Sequence, residues 1–135
     1  MKKLVMLSAM LMAASALAQE DAEFDCANTS VQWQLNECEA QAWQEADEQL
    51  NAQYQESRRV MKAWDADASD LTGAEEALVR AQRAWIAFRD AQCTFRGYQA
   101  RGGSMEPMLI YGCQAELTRQ RTQQLKEQTD LMGGN

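Results

Sequence analysis

The chain of 135 residues contains no histidine. This absence excludes nucleophilic sites of the Ser-His-Asp and Cys-His types, because both need an imidazole base. The four cysteines include no Cys-x-x-Cys pair, which disfavours thioredoxin-like redox sites and zinc sites. Neighbouring acidic residues on helix surfaces do not supply the cleft and the separation that glycosidase carboxylates need. The sequence therefore predicts a protein that is not an enzyme, with no catalytic residue, no metal and no cofactor.

Basic residues are scarce, with 13 Lys and Arg against 20 Asp and Glu. Binding of nucleic acid requires clusters of positive charge, so the acidic balance argues against a nucleic-acid partner. Negative charge is compatible with a cationic protein partner, but it also keeps small proteins soluble. We favour solubility as its main role.

Long apolar runs are missing except at the N-terminus, where residues 4–17 follow a start with two lysines. A charged start, an apolar stretch and small residues at 16 and 18 are typical of a secretory signal peptide cleaved after Ala18. The stretch is too short to span a bilayer comfortably, and Gln19 stands where a lipoprotein would carry its cysteine. We expect residues 1–18 to be removed. The product, residues 19–135, would be a single soluble domain, periplasmic or secreted, in which 11 basic residues face 20 acidic ones, a net charge of −9.

Glycine and proline are also absent between residues 29 and 64, where apolar residues recur at helical spacing. Thr29 and Gln32 form the pattern of a capping box, which predicts a helix start at this point. A straight helix over this stretch would be about 54 Å long. The later helices are too short to cover that length, so we expect a break, a bend or a fraying end after about Val60.

Two further helices follow, and no strand-like alternation or internal repeat occurs in the sequence. Thr72 and Glu75 form a second capping-box pattern, and Ser104 with Pro107 predicts the start of the third helix. The second helix carries two neighbouring apolar stripes, which predict a wide buried face: Leu78, Ala81, Trp85, Phe88 and Phe95, and beside them Val79, Ile86 and Cys93. The predicted fold is all-α, a small antiparallel three-helix bundle with a long first helix that can be broken.

The four cysteines fall at one end of such a bundle. The start of the first helix, the end of the second and the start of the third share a pole. An even number of cysteines in a small exported domain predicts disulfides. We favour Cys26–Cys38 and Cys93–Cys113, although the two other connectivities stay open because spacing alone does not decide between them.

Trp85 and Arg89 are four residues apart on the second helix, so that the ring and the guanidinium can stack. In one interpretation Arg89 is partly buried and pairs with a carboxylate. In the other it passes a buried Trp85 and reaches solvent. Both interpretations give Trp85, Arg89 and Asp90 a structural role.

The glycine-containing segment between the second and third helices is the candidate partner-binding loop. Binding residues are frequent on loops that a rigid scaffold holds. The candidate residues are Tyr98, Arg101, Gly102, Gly103 and Met105. The competing interpretation is a linker that only reverses the chain.

The sequence from about residue 25 to residue 128 resembles the family named for the N-terminal domain of the lysozyme inhibitor LprI, formerly known only as a domain of unknown function. The resemblance rests chiefly on the run Trp-x-x-x-Arg-Asp-x-x-Cys from Trp85 to Cys93, followed by Gly-Gly-Ser and Cys113. It implies a small, helical, exported, disulfide-bonded domain, and for at least one member it implies inhibition of lysozyme. The namesake is a lipoprotein, whereas this sequence has no lipidation cysteine.

Two functional hypotheses follow for the exported chain. The first is a non-enzymatic binding protein that inhibits a lysozyme-type glycosidase, a cationic lysozyme being the protein partner, by occluding its cleft. The second is a periplasmic structural, interaction or chaperone-like helical module. Neither hypothesis includes nucleic acid or a stable membrane anchor after signal cleavage.

Overall fold

The computed structural model describes residues 24–68 and 70–133. It contains three α-helices, α1 (Gln32–Asp67), α2 (Ala74–Gly97) and α3 (Glu106–Gly133), and a short 3-10 helix (Tyr98–Ala100) after α2. These two ranges contain no strand, and the predicted all-α three-helix fold is confirmed. None of the three helices is apolar over a stretch long enough to cross a membrane. The signal peptide predicted for residues 1–18 lies outside the described residues.

The main packing contact joins α1 and α3, while α2 lies against both with fewer contacts. Ala46 on α1 and Ala115 on α3 are buried, and their small side chains allow the two helices to approach closely. Leu50 and Leu125 add apolar bulk to the same core. The core is therefore a narrow seam between α1 and α3 rather than a centre shared equally by three helices.

The predicted break after Val60 is wrong, because α1 runs unbroken over 36 residues. The reason is the length of α3, which returns along α1 to its far end. Val60 and Met61 are buried there, and Gly133 of the last turn of α3 lies against Val60. Buried hydroxyls also join the helices in this half, with Ser57 Oγ 2.6 Å from Thr129 Oγ1.

The first predicted capping box does not form. The helix begins at Gln32, and Val31 is the N-cap residue without a side-chain hydrogen bond. The hydroxyl of Thr29 accepts from the backbone N–H of Val31 at 3.1 Å. Gln32 does not reach back toward Thr29, because its side-chain amide donates to Asn36 Oδ1 at 2.8 Å.

The start of α2 is capped from a distance. Its N-cap residue is Gly73, with φ of 122°, a conformation that glycine adopts without strain. The carboxylate of Asp65, near the end of α1, accepts from the backbone N–H groups of Gly73, Ala74 and Glu75 at 2.8, 2.8 and 3.1 Å. These bonds, chiefly that from Ala74, lower the pKa of Asp65. The side chain of Asp65 therefore caps α2, a role that the sequence pattern predicted for Thr72.

Replacing Asp65 by asparagine is expected to lower the melting temperature at neutral pH. The melting temperature of the variant should also fall less than that of the unmodified protein as the pH is lowered. The folded-state pKa of Asp65 is below its unfolded value of about 4. Its contribution to stability is therefore present above that value and is lost as the pH falls through the folded-state pKa. Thermal melts from neutral pH to about pH 2 test this. Asp67→Asn, at an exposed carboxylate two residues on, is the control, and equal melting temperatures for the two variants at neutral pH would contradict the cap.

The prediction that α2 buries a wide apolar face is wrong. Phe88 and Phe95 are 55% and 73% exposed, and Ile86 is exposed as well. The face of α2 that meets α1 and α3 carries Gln82, Arg89 and Cys93 instead. Because α1 and α3 already bury their apolar faces against each other, only one narrow side of α2 finds a partner.

Candidate functional site

All four cysteines lie at one end of the bundle, which we call the disulfide pole. The favoured pairing is confirmed, with Cys26–Cys38 and Cys93–Cys113 formed and Cα–Cα distances of 5.8 and 5.4 Å. Cys93 is fully buried and Cys113 nearly so. The second disulfide is therefore an internal cross-link between the last turns of α2 and the first turns of α3.

Close packing beside this disulfide holds the ends of the connecting loop together. Gly97 is buried at the end of α2. A Cβ atom placed there would lie 2.7 Å from Cγ1 of Ile110 on α3, a distance that no side chain tolerates without movement of its neighbour. Only glycine therefore allows this approach, which sets the positions from which the loop leaves α2 and enters α3.

The segment from residue 98 to residue 105, which we call the hinge loop, is held by hydrogen bonds. The carboxylate of Glu106 accepts from the backbone N–H of Gly102 at 2.7 Å and from Arg101 Nη1 at 2.6 Å. The bond from Gly102, and then that from Arg101, lower the pKa of Glu106. Asn36 of α1 also donates to the carbonyl oxygen of Ser104 at 3.0 Å. The hinge loop is thus tied to α3 and to α1.

The hinge loop presents apolar side chains to solvent. Tyr98 is 58% exposed and Met105 is exposed too, and the guanidinium of Arg101 lies 4.9 Å from the centroid of the Tyr98 ring. Four of the five predicted binding residues line a shallow, open depression on this loop, namely Tyr98, Arg101, Gly103 and Met105, whereas Gly102 is not part of its lining. Its geometry suits contact with a macromolecule, since an ordered backbone carries an exposed aromatic ring and a thioether. The binding role itself stays a prediction.

The Trp85-Arg89-Asp90 run forms a cluster around the buried Arg89, away from the hinge loop. The side chain of Arg89 is 8% exposed, and its guanidinium lies between the rings of Trp85 and Trp43 at 5.3 and 5.6 Å from their centroids. Arg89 Nε donates to Asp90 Oδ1 at 2.9 Å, and Nη1 donates to Asp47 Oδ1 at 3.2 Å. Arg89 therefore pairs with carboxylates on two helices.

The same cluster reaches α3, where Trp43 stacks on Tyr111 with ring centroids 5.7 Å apart. Trp43, Asp47 and Tyr111 were not singled out from the sequence as partners of Arg89. The only available signal was the helical spacing of Trp43 with other apolar residues, which does not reveal a cation between two rings. The cluster joins all three helices, and the structural role of Trp85, Arg89 and Asp90 stays a prediction.

Two of the described carboxylates, those of Asp65 and Glu106, accept hydrogen bonds from backbone N–H groups at the start of α2 and in the hinge loop. Asp65 and Glu106 have lowered pKa values because backbone N–H groups donate to them, which suits a helix cap and not a general acid. Within residues 24–68 and 70–133, no group of three His, Cys, Asp or Glu side chains is arranged to hold a metal ion.

The chain is similar to known proteins in sequence and in fold. A family model described as lysozyme inhibitor LprI matches residues 25–125. An uncharacterized protein of Rhizobium meliloti (strain 1021) is 46% identical over 125 residues, which are 90% of each chain. The crystal structure of a DUF1311 family protein from Pseudomonas putida KT2440 superimposes with a TM-score of 0.63 at 23% identity, covering 76% of this chain and 94% of that one. At this identity, the likeness shows a shared fold.

Proposed function

The chain belongs to the lysozyme inhibitor LprI family, and from this premise we propose that it is an exported, non-enzymatic protein that inhibits a lysozyme-type glycosidase. Inhibition would result from occlusion, with the hinge loop entering the cleft of the enzyme. The observation that carries the proposal is the family match over residues 25–125. Two disulfides agree with an oxidising compartment outside the cytosol.

The order of the hinge loop supports its choice as the inserting element. A loop that is already held in one conformation loses less entropy on binding than a flexible one. Glu106 fixes Arg101 and Gly102, and the Cys93–Cys113 disulfide brackets the segment. Tyr98 can then serve as an anchor, because exposed aromatic side chains often dominate the energy of a protein interface.

Charge supports a cationic partner. The net charge of the chain is −7, and α1 alone carries eight acidic residues against three basic ones. An acidic surface accelerates encounter with a cationic protein, and salt screens this attraction. We therefore expect inhibition to weaken as the ionic strength rises above about 0.1 M.

Replacing Tyr98 by alanine is expected to weaken inhibition about tenfold or more, the effect typical of losing an aromatic anchor. Lysis of a cell-wall suspension by a cationic lysozyme, followed by turbidity at several inhibitor concentrations, gives the inhibition constant. Phe88→Ala is the matched control, because Phe88 is an aromatic residue of similar exposure in the middle of α2. Circular dichroism verifies that both variants remain folded.

The outcomes test two points separately: whether the protein inhibits the enzyme, and whether the hinge loop is the inhibiting element. An absence of inhibition by the unmodified protein at micromolar concentration and low salt would refute the proposed function. Inhibition that Tyr98→Ala and Phe88→Ala reduce equally would leave the function standing but remove the hinge loop from it.

A second candidate is favoured by one observation, the exposure of Phe88 and Phe95, which are seven residues apart and lie on the same side of α2. An apolar helix face in solvent is typical of interaction surfaces, which suits an envelope interaction or chaperone-like module. Suppression of the aggregation of an unrelated client protein, lost on replacing Phe88 and Phe95 by alanine, would support this candidate over inhibition.

A further inference from the structure

A groove lies between the first half of α2 and the last half of α3, at the end of the bundle opposite the disulfide pole. We call it the α2–α3 groove, and its volume is about 480 Å³. Its apolar lining includes Met61, Leu78, Ala81, Leu125 and Met132. A cavity of this size matches a small molecule rather than a folded partner.

Of the residues that the structure describes, Arg121 is the only charged one that lines the α2–α3 groove. Its Nε donates to Gln82 Oε1 at 3.0 Å and its Nη1 lies 3.5 Å from Gln124 Oε1, so both contacts are to neutral amides. Its guanidinium also lies 5.9 Å from the centroid of the Trp85 ring. Among the described residues, no carboxylate forms an ion pair with Arg121.

The setting of Arg121 differs from that of the other guanidiniums that are not fully exposed. Arg89 pairs with Asp47 and Asp90, and Arg58 pairs with Glu75. Arg121 is half-buried, and its burial lowers its pKa. A partly desolvated cation without an anion is unfavourable, and an anionic ligand placed beside it would relieve that cost.

We propose that the α2–α3 groove binds a free single-chain amphiphile with an anionic head group, such as a long-chain carboxylate. The carboxylate would pair with Arg121, and the alkyl chain would lie along Leu78, Leu125 and Met132. A single cation beside a mostly apolar groove suits one negative charge on an apolar chain. A second copy of the protein would need roughly 800 Å² of contact on each partner for a standard interface, which a groove of this volume does not offer.

Chain length is the first test. Octanoate, decanoate and dodecanoate are titrated into the protein below their critical micelle concentrations. Binding is measured as the heat released or absorbed, or as a change in tryptophan fluorescence. Affinity is expected to rise about fourfold for each CH₂ group that the groove buries. Dodecyltrimethylammonium, with an alkyl chain of nearly the same length and the opposite charge, is expected to bind at least tenfold more weakly than dodecanoate because it has no partner for Arg121.

Two variants test the head group and the chain separately. Arg121→Gln is expected to weaken dodecanoate binding about tenfold or more through loss of the charged contact. Arg119→Gln, which removes the same charge from an exposed position on the same helix, is the matched control and is expected to leave binding unchanged. Ala81→Phe keeps Arg121 and fills the groove with a larger side chain, so it is also expected to weaken binding. Circular dichroism confirms the fold of each variant.

Several results would overturn the proposal: no saturable binding of dodecanoate, equal binding to Arg121→Gln and Arg119→Gln, or equal affinity for the cationic amphiphile. A dimer that Ala81→Phe dissociates, without any binding of dodecanoate, would assign the groove to a second copy instead. The groove and the hinge loop lie at opposite ends of the bundle. Tyr98→Ala is therefore expected to bind dodecanoate normally, which separates failure of this proposal from failure of the proposed inhibition.

Discussion

Replacing Arg89 by alanine is expected to lower the free energy of unfolding by about 3 kcal/mol. Two aromatic rings face its guanidinium, and each contact contributes about 1 kcal/mol. Charge-assisted hydrogen bonds and the space left by the side chain add to this loss. Because the carboxylates of Asp47 and Asp90 are 41% and 52% exposed, water can solvate them after the change, which limits the total cost.

Arg89→Lys separates charge from shape. Lysine keeps the positive charge but loses the planar group that stacks between two rings and binds two carboxylates, so we expect an intermediate loss. Arg80→Ala removes an exposed arginine paired with Glu76 on the same helix, and its effect should stay within about 0.5 kcal/mol. Urea unfolding gives the free energy of unfolding of all three variants. Full recovery by lysine would show that the stacked geometry contributes nothing beyond charge.

Removing the Cys93–Cys113 disulfide by a double alanine substitution is expected to destabilise the protein by more than 3 kcal/mol. Without this cross-link the unfolded chain gains conformational freedom, which lowers the free energy of unfolding by about 3 kcal/mol for a separation of 20 residues. Both sulfur atoms also belong to buried residues, so the change removes apolar contacts in the interior as well. Total stabilities of about 5–15 kcal/mol are usual for domains, which makes this a large fraction.

The Cys26–Cys38 disulfide provides the matched comparison. It closes a separation of 12 residues, so its entropic contribution is nearly the same, also about 3 kcal/mol. Cys26 is exposed and Cys38 is only partly buried, so its removal should cost less in packing. Urea unfolding of the two double variants measures the difference. Equal losses would show that burial of the Cys93–Cys113 disulfide adds nothing to its loop-closure effect.

Local patterns explain why much of the architecture could be predicted from the sequence. Apolar residues at helical spacing, with Pro107 and Gly133 near the two ends of α3, indicate three helices without reference to their packing. Antiparallel connection then places all four cysteines at one pole, where the favoured pairs are the two with the shortest separations along the chain. The hinge loop could be located for the same reason, since Gly102 and Gly103 interrupt the helical pattern.

Contacts between residues distant in sequence explain what could not be predicted. Thr72 has the sequence pattern of a cap, but the carboxylate of Asp65 occupies the amides at the start of α2. Arg119 and Arg121 look equivalent as basic residues two apart on one helix. Only the position of α2 leaves Arg119 in solvent and places Arg121 at the α2–α3 groove.

Periodicity and turn residues act over a few neighbouring positions, so the helical class, the number of helices and the end of the bundle that carries the disulfides follow from local patterns. The buried side of α2, in contrast, depends on packing between residues that are distant in the sequence. Trp85 and Phe88 both fit an apolar stripe, and α2 has more apolar surface than its neighbours can cover. Since α1 and α3 bury their apolar faces against each other, α2 packs through the narrow side that carries Arg89 and Cys93, and Phe88 remains in solvent.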